Sequence, residues 1–187
     1  MSRKVILIFA SLTLVGMGGL GVILIETFGK ITFMEFFDGP YSLWIEILAG
    51  VAYGLVASLM AWSVVKWPKM NATRTFFENL FRDADLSIGH IVFISICAGV
   101  GEEILFRGFI QPYVGLWLTS VLFVAIHGYL NPFNRPLFTY GIVMVVLIAG
   151  VGVMLEIFGL LPCMIAHTII DIYLLNRLTL RPSPNSQ

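Results

Sequence analysis

Six ionisable side chains stand among apolar residues: Glu102, Glu103, Arg107, His127, His167 and Asp171. An ionisable group at the centre of a membrane helix costs about 2.5–3.5 kcal/mol on insertion scales, so the set approaches ~15 kcal/mol uncompensated. Groups this costly are expected to meet around one functional cavity. Spacing supports pairing, because residues four apart share a helix face, which sets Glu103 over Arg107 and His167 over Asp171. Glu102 is turned about 100° from Glu103, so the two carboxylates fan across a wide sector. His127 comes from a third helix. A carboxylate and an imidazole can activate water, and further donors can stabilise a developing oxyanion, which together hydrolyse a peptide bond. Glu102, His127 and His167 are equally a recognised zinc ligand set, with water in the fourth position. The plainer reading is a buried ion network that fixes helix register. Two carboxylates and two histidines against a single deep arginine favour chemistry.

The elements that position these groups must cross a lipid bilayer. The chain of 187 residues is 58% hydrophobic and 12% charged, with a mean hydropathy of +0.93. Soluble domains carry roughly 25% charge. A bilayer core needs about 20 apolar residues per helix. That ruler gives six spans, at 5–28, 43–65, 88–110, 114–130, 137–158 and 160–175, so an all-α membrane bundle of about six helices is expected. Glu26, Glu46, Glu156, His90 and Arg177 fall near span ends, where polar groups reach water, and are assigned no chemistry. Gly99 and Gly101 precede the acidic pair and leave room for a neighbouring backbone or a substrate strand. Gly50 and Gly54 fit the small-residue pattern of close helix packing. Cys97 and Cys163 lie in apolar runs without metal-type spacing.

These spans place Glu102 about fourteen residues from the inner end of its helix, roughly 21 Å, and His127 about three, roughly 5 Å. Both cannot line one site with those boundaries. Either the third span begins later or tilts, or the fourth continues past Leu130.

The ordered strings are specific. Glu102-Glu103-Ile104-Leu105-Phe106-Arg107 reads E-E-x-x-x-R, Phe123 to His127 reads F-x-x-x-H, and His167 to Asp171 reads H-x-x-x-D. In order and separation they resemble the CPBP family, the CAAX-prenyl-protease and bacteriocin-processing enzymes also called Abi, over roughly residues 88–175. The resemblance implies an intramembrane endopeptidase. Glu102 and His127 then correspond to the residues that activate water, and His167 and Asp171 to those that stabilise the oxyanion. An ionised aspartate only accepts hydrogen bonds, so Asp171 is expected to hold His167 in its donor form. Glu103, counted with the catalytic cluster, pairs with Arg107, and Arg107 and Phe123 are structural. Family members outside the eukaryotes and archaea more often mature peptides, anchors or regulators than prenylated C-termini, and this compact chain is expected to be prokaryotic.

The domain plan is an N-terminal transmembrane pair with a cytoplasmic amphipathic loop at 1–87, a catalytic core at 88–177 and a disordered tail at 178–187. Within the loop, Phe77, Leu80 and Phe81 fall at helical spacing; such a segment lies in the headgroup plane or caps the inner face with its aromatics. Arg3, Lys4, Lys66, Lys69, Arg74, Arg82, Arg135, Arg177 and Arg181 fall on one side and Lys30 alone in the opposite loops. By the positive-inside rule both termini are cytoplasmic, in a cell membrane. The expected partners are lipids and a membrane-embedded or membrane-anchored peptide; a net charge of zero leaves no basic face for nucleic acid. No cofactor is required on the glutamate–histidine route, and zinc on the other. The competing functions are a proton- or cation-coupled transporter, for which no inverted repeat is visible, and an inactive immunity or scaffold protein.

Overall fold

The computed structural model describes residues 1–179, and its helices follow the apolar runs. Helix α1 is Arg3–Phe28, interrupted by a π-helical turn at Thr13–Gly18. Helix α2 is Leu43–Val65, α3 is Asn71–Phe81 and α4 is Ile88–Val114, with a second π-turn at Ile104–Ile110. Helix α5 is Leu116–Ile126, α6 is Arg135–Phe158 and α7 is Leu160–Thr179. Short 3-10 turns at Met34–Phe37, Pro68–Met70 and Arg82–Ala84 join them, and no strand occurs among the described residues.

By length and composition α1, α2, α4 and α6 can each cross a membrane. Their outward faces expose Val15, Ile23, Leu48, Val56 and Val146. So continuous an apolar exterior suits lipid rather than water. The protein is an all-α integral membrane bundle.

Helix α7 is the central element, packed against α2, α4 and α6. Small residues set the seams. A Cβ on Gly50 or Gly54 of α2 would come within 2.9 Å of the carbonyl of Pro162 or Ala166, the packing role their spacing implies. On α4, a Cβ at Gly99 would lie 2.8 Å from the Thr168 nitrogen, and one at Gly101 would lie 2.5 Å from the Thr13 oxygen. The two glycines before the acidic pair therefore admit α7 on one side and the π-turn of α1 on the other. What they leave room for is neighbouring backbone.

The fourth span departs from expectation. Helix α5 stops at Ile126 and does not reach 130, because His127 caps it and Gly128 takes a left-handed φ of +76°. Gly128 N–H donates to the Ala125 carbonyl (2.9 Å) and Tyr129 N–H to the Val124 carbonyl (3.4 Å). This pair of bonds is the Schellman ending that glycine permits. An eleven-residue helix rises only roughly 16 Å, about half the bilayer core. From the end of a helix that is shorter than expected, not longer, His127 meets Glu102 at 3.5 Å.

Other differences are smaller. Helix α4 extends four residues beyond 110 to Val114. Leu178 and Thr179, assigned by sequence to the tail, complete α7; the rest of the expected disordered tail lies outside the described residues. Three of the span-end polar groups have partners close by in the chain. His90 closes a capping box with Ser87, Glu26 accepts from Phe33 N–H at 2.8 Å, and Arg177 lies over the Tyr173 ring. Cys97 and Cys163 are free and buried.

Candidate active site

All six deep ionisable residues converge. Helix α4 supplies Glu102, Glu103 and Arg107, the end of α5 supplies His127, and α7 supplies His167 and Asp171. Two linked networks result. In the first, Arg107 Nε lies 3.2 Å from Glu103 Oε2, both side chains fully buried. The pairing is an ion pair without hydrogen-bond alignment. The Arg107 Nη2 donates to the Ile148 carbonyl at 3.3 Å, and the guanidinium stacks 5.1 Å from the Phe123 ring centre. Glu103 turns its other oxygen to His167, accepting from Nδ1 at 2.8 Å. On the far side of the imidazole, Nε2 lies 3.6 Å from Asp171 Oδ2.

The second network is shorter. His127 Nδ1 lies 2.7 Å from the Phe123 carbonyl. A carbonyl only accepts, so Nδ1 carries the proton and Nε2 is left facing Glu102. The gap from Nε2 to Glu102 Oε2 is 3.5 Å. Among the described residues, that buried oxygen has no hydrogen-bond donor.

Phe123 joins the networks. Its ring stacks on His127 with centroids 4.7 Å apart and meets His167 edge-on at 5.5 Å. The four-residue spacing from Phe123 to His127 thus places one ring against both histidines and Arg107.

The expected pairs Glu103–Arg107 and His167–Asp171 are both present. Glu103 does more than sequence spacing shows, because it also holds His167, a contact across 64 positions. As placed, His167 is flanked by a carboxylate at each nitrogen. Among the described residues, no group of three His, Cys, Asp or Glu side chains is arranged to hold a metal ion.

Glu102, His127, His167 and Asp171 line a cavity of about 490 Å³. From them it extends past Phe77, Tyr129 and Tyr140 toward Met1 and Leu178, the end of the bundle where α1 begins and α7 ends. His127 and Asp171 keep side-chain exposures of 29% each, so they face this space, whereas Glu103 and Arg107 at 0% lie behind it. Tyr129 is 5.6 Å from the His127 ring and 5.4 Å from Tyr140. Sequence reading gave neither tyrosine a role, since both fall where a span end was expected. The Gly128 turn was the available signal for Tyr129.

Over 86 residues the chain is 35% identical to YpbD, an uncharacterised protein of Bacillus subtilis (strain 168). The match covers 42% of this chain and 41% of that protein's length. No solved structure matches. Residues 84–173 match the family model described as type II CAAX prenyl endopeptidase Rce1-like, and they include every side chain of both networks. Through this segment the chain is similar to the Rce1-like type II CAAX prenyl endopeptidases, and it spans less than half the length of the curated relative it matches.

Proposed function

We propose that the protein is an intramembrane endopeptidase that hydrolyses a peptide bond of a membrane-embedded or membrane-anchored polypeptide. The observation that carries this reading is the facing pair of Glu102 Oε2 and His127 Nε2, 3.5 Å apart in the cavity. With Nδ1 protonated and Glu102 ionised, both atoms are acceptors. Two acceptors so placed are satisfied by a proton between them or by a water that donates to both. As the water oxygen bonds to the scissile carbonyl carbon, its proton passes to Glu102. The carbon–nitrogen bond then breaks, and the same proton goes to the leaving amine. His167 is the donor toward the oxyanion through Nε2, whose contact to Asp171 at 3.6 Å is too long to be a hydrogen bond. Glu103, Arg107 and Phe123 hold the two histidines in place.

The reaction is proposed to run without a metal. Supporting this, His167 Nδ1 is engaged by Glu103 at 2.8 Å. The positive-inside distribution supports cytoplasmic termini, which puts the cavity's far end on the cytoplasmic side.

Glu102→Gln and His127→Ala, purified and returned to proteoliposomes, test the reading. Each should lower cleavage by about 10²–10⁴-fold while leaving thermal unfolding near wild type. The substrate is the protein that Glu102→Gln retains and the wild type cuts. Cleavage by Glu102→Gln at the wild-type rate would remove the basis of the proposal.

A further inference from the structure

The matched segment accounts for the catalytic groups but not for the space in front of them. Helix α3, outside residues 84–173, contributes Phe76, Phe77, Leu80 and Phe81 to the cavity wall. These residues lie at helical spacing on two adjacent turns, so they present one apolar face. Phe77 is buried and meets Tyr129 and Tyr140 edge-on, each at 5.6 Å, which ties α3 to the turn that carries His127.

A charged residue beside this face reaches α2. Arg74 pairs with Glu78 at 2.9 Å and lies 5.5 Å from the Trp62 ring of α2. Arg177 of α7 reaches the same tryptophan at 5.9 Å. Arg74 thus ties α3 to α2. Phe76 and Leu80 line the cavity yet remain 50% and 36% exposed, so the described residues leave this apolar surface uncovered.

Resting on the endopeptidase reading above, we propose that α3 is the specificity wall of the enzyme. Phe76 and Leu80, backed by Phe77, receive a large apolar side chain of the substrate polypeptide next to its scissile bond. The chemistry selects the occupant. A peptide bond held at Glu102 and His127 sets its neighbouring side chain in the adjoining space, whose α3 wall is apolar throughout. A charged side chain there would lose its water without gaining a partner. An aliphatic or aromatic one is rewarded by burial. Substrate choice thus resides in the N-terminal half, and catalysis in the matched segment.

Wild type, Phe76→Trp, Leu80→Trp and Glu102→Gln are compared on a tryptic digest of total membrane protein, with cut sites read by mass spectrometry. Both α3 positions are partly exposed, so these variants should fold, and thermal unfolding of each is recorded alongside. The wild type should favour a bulky apolar residue at one position beside the cut. The tryptophan variants should shift that position toward Ala, Ser and Gly, with the ratio of kcat/KM values moving on the order of 10- to 200-fold. A wild-type preference that both folded tryptophan variants retain would overturn the specificity wall while leaving the endopeptidase reading intact. No wild-type cleavage above that of Glu102→Gln would overturn the endopeptidase reading, and the wall with it.

Discussion

Replacing Arg107 by alanine separates structural support from catalysis. The guanidinium is fully buried, 3.2 Å from Glu103, bonded to the Ile148 carbonyl and stacked on Phe123. Removing one partner of a buried ion pair leaves the other charge uncompensated and typically costs about 3–5 kcal/mol. For a chain of this size that is a fall in melting temperature on the order of 10 °C, measured by thermal unfolding in detergent. Activity should fall too, but through displaced geometry. Arg107→Lys keeps the charge while losing the planar fork and the stacking on Phe123, so it should fall between the two. In the double variant Arg107→Ala with Glu103→Gln, the orphaned charge is gone. It should melt above Arg107→Ala alone, giving a positive coupling in the double-mutant cycle. An Arg107→Ala protein as stable as wild type yet inactive would refute this reasoning and place the arginine in the chemistry itself.

Metal dependence is checked by dialysis against a strong chelator: activity should persist, and elemental analysis should show far less than one zinc per chain. Activity lost on chelation and restored by zinc would make Glu102, His127 and His167 ligands instead. Topology is checked with Ser2→Cys and Asp38→Cys, after Cys97 and Cys163 are replaced by alanine. An impermeant reagent outside intact cells should label position 38 and leave position 2 unlabelled. Gly101→Ala places a methyl 2.5 Å from the Thr13 oxygen, so α1 must shift. Unfolding experiments should show a loss of about 1–3 kcal/mol, as for other overpacked sites.

The sequence made the site legible because charge inside an apolar run is costly. Each of the six residues announced itself by standing where lipid-facing or core residues belong, and the i, i+4 spacing supplied two of the contacts. What stayed hidden depends on distance along the chain. The bond from Glu103 to His167 joins positions 64 apart and follows from how α7 docks on α4, which no local pattern encodes. The end of α5 was hidden for another reason. Hydropathy continues through Tyr129 and Leu130, so a ruler based on apolar length carried the helix onward. Gly128 stops it through backbone conformation, a signal independent of hydropathy. Helix α3 was legible as amphipathic. Its apolar face packs in part against Tyr129 and Tyr140, a contact between elements that helical spacing alone does not reveal.

Glu102 and Glu103 show how one backbone gives two identical side chains different work. A step of one residue rotates the side chain by about 100°, and here that rotation separates the buried network from the cavity. Glu103 is directed inward, where Arg107 balances its charge and His167 donates to it behind the cavity. Glu102 is directed toward the cavity, where His127 Nε2 faces it at 3.5 Å. The membrane makes this division necessary. Two adjacent carboxylates in a low-dielectric interior repel strongly, and one arginine can offset only one of them. With Glu103 engaged by Arg107 and His167, Glu102 is the carboxylate of the pair that faces the cavity. The π-turn that begins at Ile104, directly after the pair, is the kind of local irregularity that often accompanies functional helices. Beyond it, Gln111 is anchored to the Gly152 carbonyl at 2.9 Å, which fixes the far end of α4 against α6. With the helix held at Gln111 and wedged between α1 and α7 at Gly101 and Gly99, neither carboxylate can exchange places with the other.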